Sequence, residues 1–539
     1  MTISNTMQTS SPLAGTIPTS TLVQPQQPAA PDTTVIAKVI SGDNRIDPLI
    51  DDASFRFNEG SPLATPVTVT FSFPSVLPSS YTGEEALGWK PFTDVQKAAT
   101  RDILGLLQKQ VRITFTEVAE SPNSSGTMRF GNNTQTVSAG YAFLPNSTQS
   151  DRDSDTWIAI APDEPAIGNY AWLTLVHEIG HAIGLNHPGN YNAGESQVPD
   201  AVGNFLSANE DAYFNSIMSY RQSAQSINNV SFMPYDLLTL RYLYGQTDFA
   251  VGDNTYAYTD ASGMMVSNIV DDGGTDTLDF SALSVAVDVD LTPGAYSSVG
   301  TIASGANALA NLTTSFDAII EKATGTTLSD TLLGNAANNT FTGGGGDDAI
   351  NGAAGTDTAV YAGARTAFNV SAAAGKVTVN GSTGTEGIDT LTSVERLQFL
   401  GSGNKLAFDL ATSDPAGKAA LFLGVLAPTL ISNPSIVGTI VGIFDQGISL
   451  LDVCQLTLNA GLVTSITGSN SNAALATMVF KNVIGSDPSA AIVETLVSYM
   501  DGRAASVSQA AFMAAVAGLD ANQSHIGLVG LQQNGLEFV

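Results

Sequence analysis

The chain has 539 residues, enough for about three domains rather than one compact core. Its 50 acidic against 20 basic residues give a net charge of −30, which argues against a nucleic-acid partner and against docking on anionic membrane. A hydrophobic content of 43% excludes wholesale disorder, and the single cysteine, Cys454, excludes an intramolecular disulfide framework and a cysteine-based zinc site.

Residues 1–35 are rich in Ser, Thr, Pro and Gln and read as a flexible leader or propeptide, with no basic n-region and apolar h-region of a cleaved secretory signal. VTVTFSF (67–73) alternates like a strand, 92–111 carries apolar residues at helical spacing, and ITFTEVAE and MRFGN read as further strands. A strong helix is predicted over 170–185, and mixed strand and helix continue to about Gly245. From about 250 to 410 the composition shifts to Gly, Asp, Thr and Asn, with 18 acids against 5 bases. A nine-residue period runs through GTTLSDTLL, GNAANNTFT, GGGGDDAIN and GAAGTDTAV (325–360). Its first position is Gly, its sixth is Asp330, Asn339, Asp348 and Asp357, and its eighth is Leu332, Phe341, Ile350 and Ala359. From 411 onward apolar residues return at helical spacing. Residues 419–444 lack any charge, but Pro428, Asn433 and Pro434 break them into two short pieces, which predicts buried helices and no transmembrane span.

Three of the four histidines fall within HEIGHAIGLNH: His177, His181 and His187. A spacing of four on a helix puts His177 and His181 on one face, within reach of one metal ion. Gly184 lets the chain leave the helix sharply, so that His187 swings back as a third ligand. Three imidazoles leave an open position, which is the mark of a catalytic zinc. Glu178 then faces the open side as the general base and later passes its proton to the leaving amine. An amphipathic core helix with incidental histidines is the bland alternative, and the complete HExxHxxGxxH pattern argues against it.

GGGGDDAIN matches the calcium-binding nonapeptide GGxGxDxUx in full, and its neighbours match in part. Asp330, Asp348 and Asp357 are the candidate calcium ligands, with backbone carbonyls from Gly343 and Gly345. Asp276 serves an adjacent site at the start of the repeat region. Asn339, Ala353 and Ala359 depart from the pattern, so some sites are expected to be incomplete. The plainer reading is a flexible Gly/Asp linker, against which the four-unit phase counts.

HExxHxxGxxH resembles the metzincin metallopeptidases, and NSIMSY places Met218 where that group carries its methionine turn. Pro188, YDLLTLRYLYG (235–245), DDGGTDTLDFS (271–281), FTEV and SAGYAF resemble, within it, the serralysins, the RTX-bearing secreted proteases of bacteria. The resemblance covers roughly residues 40–400. It implies an α+β chain: a metzincin-type zincin catalytic domain (36–248), a parallel RTX β-roll (249–410) and an α-helical C-terminal module with a secretion signal (411–539). It implies one catalytic zinc ion, several structural calcium ions, and Tyr220 as a second catalytic group and possible fifth zinc ligand that helps hold the oxyanion. Residues 139–145 would lie at the substrate edge. Expected partners are protein and peptide substrates and a type I secretion apparatus, for a monomer that is secreted, with or without attachment at the cell surface. The final GLEFV, with Glu537 before two apolar residues, resembles serralysin tails. Residues 411–539 depart from typical serralysins and look like a helical module found behind RTX repeats. The competing readings are an RTX surface or adhesive protein with a vestigial protease domain, a dedicated processing protease for one surface partner, and an astacin-like or matrixin-like metzincin.

Overall fold

The alternation of 67–73 becomes strand β1 (Val67–Ser72), which turns Val69 and Phe71 into the core. The structure is a computed structural model that describes residues 41–539 except 51–54, 122–124, 136–137, 149, 161–162, 190, 192–204, 383–385 and 503–506; the leader 1–35 lies outside the described residues. The chain forms two compact units, one up to Ile320 and one from Glu321.

In the first unit, helix α1 (Asp94–Leu107) follows a capping box. Gln96 N–H donates to the Thr93 hydroxyl at 3.2 Å, and Thr93 N–H donates to Gln96 Oε1 at 2.9 Å. β1 pairs in parallel with β2 (Ile113–Glu117) on one side and β3 (Met128–Asn133) on the other. β4 (Gly140–Ala142) is an edge strand, antiparallel to β5 (Thr156–Ala159), which pairs in parallel with β3. Helix α2 (Tyr170–Ala182) starts at Asn169, whose side chain accepts Trp172 N–H at 2.8 Å. Its buried face, Leu175, Val176 and Ile179, shares one core with Phe71, Leu104 and Phe130. Helix α3 (Pro234–Tyr244) adds Leu240 and Leu243 to that core and stops at Gly245. A Cβ there would lie 2.7 Å from the Ala64 carbonyl at a φ of +92°, so only glycine fits. Short parallel pairs follow, Thr255–Ala257 with Thr277–Asp279 and Met265–Ile269 with Leu312–Thr314.

The second unit begins with the nine-residue period. Its strands are β6 (Lys322–Thr324), β7 (Thr331–Leu333), β8 (Thr340–Thr342), β9 (Ala349–Asn351) and β10 (Thr358–Tyr361). Successive strands go to different sheets, and partners within a sheet are parallel: Lys322 faces Thr340, Thr340 faces Thr358, and Thr331 faces Ala349. The glycines make the tight coil possible. At Gly344, with φ +105°, a Cβ would stand 1.7 Å from the Thr326 carbonyl of the coil before. The eighth positions Leu332, Phe341, Ile350 and Ala359 are all buried. A hairpin of β11 (Phe368–Ala373) and β12 (Lys376–Gly381) interrupts the period. Parallel stacking then resumes with β13 (Ile388–Thr392) on β9 and β14 (Arg396–Phe399) on β10. β15 (Lys405–Ala407) adds antiparallel to β14, and β16 (Leu536–Phe538) adds antiparallel to β15.

Between β15 and β16 the chain is helical. Helices α4 (Pro415–Leu426) and α5 (Pro434–Asp445) split the uncharged stretch at Pro428 and Pro434, as its prolines predict. Neither these nor any other helix of the described residues is long and apolar enough to cross a membrane. Ser449, Ser471 and Ser508 each cap a later helix through the amide three residues on, at 3.1, 3.2 and 3.1 Å. Caps of this kind contribute about 1 kcal/mol each. Phe422, Val441, Phe444, Val479 and Met513 form the shared core, and Cys454 is buried among them. Burial pushes its thiol up to about 12, so it stays an inert thiol.

Because the Phe341 ring is fully buried between the sheets of the second unit, Phe341→Ala should cost about 3–5 kcal/mol in urea unfolding of the full chain. A loss below 1 kcal/mol, on the order of a surface change, would show that the ring does not hold the coils together.

Candidate metal centre

α2 presents His177 and His181 one turn apart, as their spacing of four requires. The helix then ends, and Gly184 turns at φ +109° where a Cβ would meet the Phe55 carbonyl at 2.6 Å. This brings His187 back: its Nε2 lies 3.2 Å from Nε2 of His177 and 3.1 Å from Nε2 of His181. Two backbone carbonyls decide the tautomers. His177 Nδ1–H donates to the Ile217 carbonyl at 2.9 Å, and His181 Nδ1–H donates to the Leu185 carbonyl at 2.8 Å. A carbonyl only accepts, so these Nδ1 atoms carry the protons and the Nε2 lone pairs are left to converge. Burial pushes His177 down to about 4 and His181 down to about 3, so both stay neutral, as ligands must. Nitrogens around a tetrahedral zinc ion stand about 3.3 Å apart. The triad therefore fits zinc by spacing, and His177 and His181 fit it also by tautomer and charge.

The string Ser216–Tyr220 passes beneath and beside this triad. Met218 is fully buried, and its Sδ lies 2.7 Å from where a Cβ on Gly180 would stand. The glycine inside the HEIGH segment thus makes room for the methionine. Tyr220 stacks near His187 and His177, with ring centroids 4.5 and 5.8 Å away. Sequence reading missed the residue that anchors the turn. Asp236, on the first turn of α3 and fully buried, accepts the Ser216 hydroxyl at 2.6 Å and the Ile217 amide at 2.8 Å. It also accepts the Met233 amide at 2.8 Å. Burial pushes its carboxyl up to about 7, against the pull of these three donors. Ile217 therefore has its N–H fixed by Asp236 while its carbonyl fixes His177.

Glu178 follows the first of these histidines on α2. It is 5% exposed, its Oε2 is buried with no hydrogen-bond partner, and burial pushes its carboxyl up to about 8. Edge strand β4 runs directly over it: a Cβ on Gly140 would lie 2.7 Å from Glu178 Cγ. The segment 139–145 thus lies beside the triad's carboxylate, through β4.

The candidate calcium ligands stand on other segments of the chain. Asp276, in the first unit, is buried and accepts Asn254 N–H at 2.8 Å. Asp330, Asp348 and Asp357 are buried in the second unit and stand in two columns. Asp330 N–H donates to Asp348 Oδ1 at 2.9 Å, and Asp348 N–H donates to Asp389 Oδ1 at 3.0 Å. In the other column Asn339 N–H donates to Asp357 Oδ1 at 2.6 Å, and Asp357 N–H donates to Glu395 Oε2 at 2.8 Å. The neutral Asn339 is not a defect in this arrangement: its Oδ1 accepts Asn335 N–H at 2.8 Å and its Nδ2 donates to the Glu321 carbonyl at 3.3 Å. Oδ2 of Asp348 and Oδ2 of Asp357 are buried with no partner, which fits an oxygen-liganded cation. Gly343 packs directly on the first of them, since a Cβ there would lie 2.1 Å from Asp348 Oδ2. Gly345 donates its amide to the Thr326 carbonyl at 3.1 Å. Asp389 and Glu395 were not expected from the period, because the β11–β12 hairpin shifts them out of phase.

Burial, together with neighbouring carboxylates, pushes Asp348 up to about 8, Asp357 to about 7 and Asp389 to about 6. These groups hold protons in the folded state that the unfolded chain has lost, so folded stability falls as pH rises from the unfolded carboxylate range through these values. In buffer containing EGTA, the thermal midpoint of the second unit should therefore drop between about pH 5 and about pH 8, and calcium should abolish the drop. A midpoint that rises or stays level across that window without calcium would refute the coupling. Asp236→Ala should weaken zinc binding about 10–100-fold, measured by competition with a chromogenic chelator. Wild-type affinity in that variant would mean the turn holds His177 without its anchor.

Comparison with known proteins places these features in a family context. Residues 114–240 match the metallo-peptidase family M12B reprolysin-like, and residues 239–408 match the peptidase M10 serralysin C terminal. A metalloprotease AprA of Pseudomonas entomophila is 29% identical over 50% of this chain and 59% of its own length. A serralysin of Proteus mirabilis is 31% identical over 51% of this chain and 61% of its own. Serralysin B of Dickeya chrysanthemi is 31% identical over 43% of this chain and 52% of its own. The chain thus spans between about half and two thirds of the length of these curated relatives. By both matches and these likenesses, the chain has a region similar to reprolysin-like metallopeptidases, followed by one similar to the serralysin C terminal.

Proposed function

We propose that the chain is a secreted zinc-dependent endopeptidase that hydrolyses peptide bonds of extracellular proteins. The observation that carries this reading is the convergence of three imidazoles, two of them held neutral by burial, in a site that also holds the buried Glu178 carboxyl with its unpartnered Oε2. His177, His181 and His187 would hold the zinc ion. When bound, it supplies Lewis-acid polarisation of the scissile carbonyl and activates a water molecule. An extended substrate pairs with the free edge of β4, which aligns its backbone above Glu178. Glu178 takes a proton from the attacking water and returns it to the leaving amine. Its raised carboxyl pKa matches that task, because a base near neutrality both accepts and releases the proton. Tyr220, packed against His187, donates its hydroxyl to the oxyanion and is a candidate fifth zinc ligand. Burial holds that hydroxyl well above the usual tyrosine range, so it remains a donor.

In the same reading, residues 36–248 are the peptidase domain, 249–410 the RTX β-roll, 411–539 the helical module with the export signal, and 1–35 a leader. Asp330, Asp348, Asp357 and Asp276, with carbonyls of Gly343 and Gly345, hold calcium in and beside the roll. The coils of alternating parallel strands and the unpartnered oxygens support this. Export by a type I apparatus agrees with calcium-dependent folding, since the coils close only where calcium is abundant.

The test is Glu178→Ala. The purified variant should bind one equivalent of zinc and lose at least about 10³-fold in kcat on casein or a quenched peptide, the order found for a catalytic acid–base group. Casein cleavage at the wild-type rate by this variant, with zinc bound, would remove Glu178 from the mechanism.

A further inference from the structure

Around the metal centre one buried carboxylate has no part in the chemistry so far described. Asp211 lies in the segment before the methionine turn and is 3% exposed. It collects side chains from both sides of Tyr220. Ser219, the residue before, donates its hydroxyl to Asp211 Oδ1 at 2.6 Å. Arg221, the residue after, donates Nε–H to Asp211 Oδ2 at 3.2 Å. A third donor comes from the loop after His187: the Tyr191 hydroxyl donates to Asp211 Oδ1 at 2.8 Å. The same hydroxyl accepts Tyr220 N–H at 3.2 Å, and the two tyrosine rings stack with centroids 4.8 Å apart and planes 24° apart. Gly189 keeps the space for this stack, since a Cβ there would stand 2.1 Å from the Tyr191 ring. Each of these bonds acts on the flanks, backbone or ring face of Tyr220, and none on its hydroxyl.

We propose that Asp211 is a positioning residue that acts through Tyr191 to fix the orientation of Tyr220 at the metal centre. The carboxylate anchors both neighbours of Tyr220, which removes its backbone freedom. It also orients the Tyr191 hydroxyl, which leaves the Tyr191 ring as a wall for the Tyr220 ring. Tyr220 keeps only the freedom about its own side-chain torsions, and its hydroxyl is delivered to one place. The proposal rests on the reading of Tyr220 as a group that works beside the zinc ion. Energetically, two hydroxyl donors on Oδ1 and the Arg221 guanidinium on Oδ2 make the anchor stiff, because charge-assisted hydrogen bonds are about twice as strong as neutral ones.

The test uses Asp211→Asn and Tyr191→Phe, which keep volume and remove the acceptor charge or the hydroxyl. Each is measured alone and combined with Tyr220→Phe in the full zinc-loaded chain. Both should lower kcat on a quenched peptide about 10–100-fold, the range for residues that orient a working group. KM should stay within about twofold, because substrate binding does not pass through the anchor. Combined with Tyr220→Phe, neither should lower kcat further, since residues that act as one unit are non-additive. The second readout is the visible spectrum of the cobalt-substituted protein, which reports the metal surroundings without turnover. Asp211→Asn and Tyr191→Phe should shift it in the direction of Tyr220→Phe. Full additivity with Tyr220→Phe, or a wild-type cobalt spectrum in Asp211→Asn, overturns the relay. Absence of peptidase activity in the zinc-loaded wild type would instead overturn the endopeptidase reading, and the cobalt spectra would still decide for or against the relay.

Discussion

The metal centre depends on two backbone carbonyls. Those of Ile217 and Leu185 accept the Nδ1–H groups of His177 and His181, and this alone leaves the Nε2 lone pairs facing one point. Helical spacing brings the imidazoles to one face but does not choose their tautomers. The carbonyls do, and each is held by something outside α2. Leu185 is placed by the left-handed turn at Gly184, and Ile217 by the buried Asp236. The site is therefore a product of three segments that meet around the helix end. Its chemistry is fixed by main-chain groups whose own positions are set by a glycine and a carboxylate.

The second unit answers a different constraint, which is how to bury negative charge. Residues 321–410 carry nine acids against five bases, and part of their Asp is stacked in columns with apolar residues between the sheets. Asp348, Asp357, Asp389 and Glu395 each accept an amide from the coil before, which compensates one oxygen. Asp348 and Asp357 are each left with a second oxygen that no protein group satisfies. Raised carboxyl pKa values are the thermodynamic expression of that shortfall. With the proposed cations bound, the charge of the folded unit is far smaller than the sequence suggests.

Much of this is legible in the residues. The i, i+4 histidines, the glycine that ends their helix, the strand at 67–72, the proline break between α4 and α5 and the nine-residue phase all follow from local rules. What the sequence hides is carboxylates that act at a distance. Asp236 stands 19 residues from Ile217 and sits on a helix where an isolated Asp reads as a solvated charge. Asp211 precedes the turn in a stretch with no periodicity at all. Asp389 follows Asp348 by 41 residues, not by 18, because the β11–β12 hairpin is inserted between coils. Periodicity finds residues that repeat along the chain; it has no means of finding a partner brought in by an insertion.

The column bonds run in one direction. Asp330 depends on Asp348, which depends on Asp389, and Asn339 depends on Asp357, which depends on Glu395. A coil formed on its own leaves an amide unpaired until the following coil is in place. The stack thus behaves as a one-dimensional array with nearest-neighbour coupling, in which order spreads coil by coil. Its cooperative length is set by the number of stacked coils and not by the size of a single core.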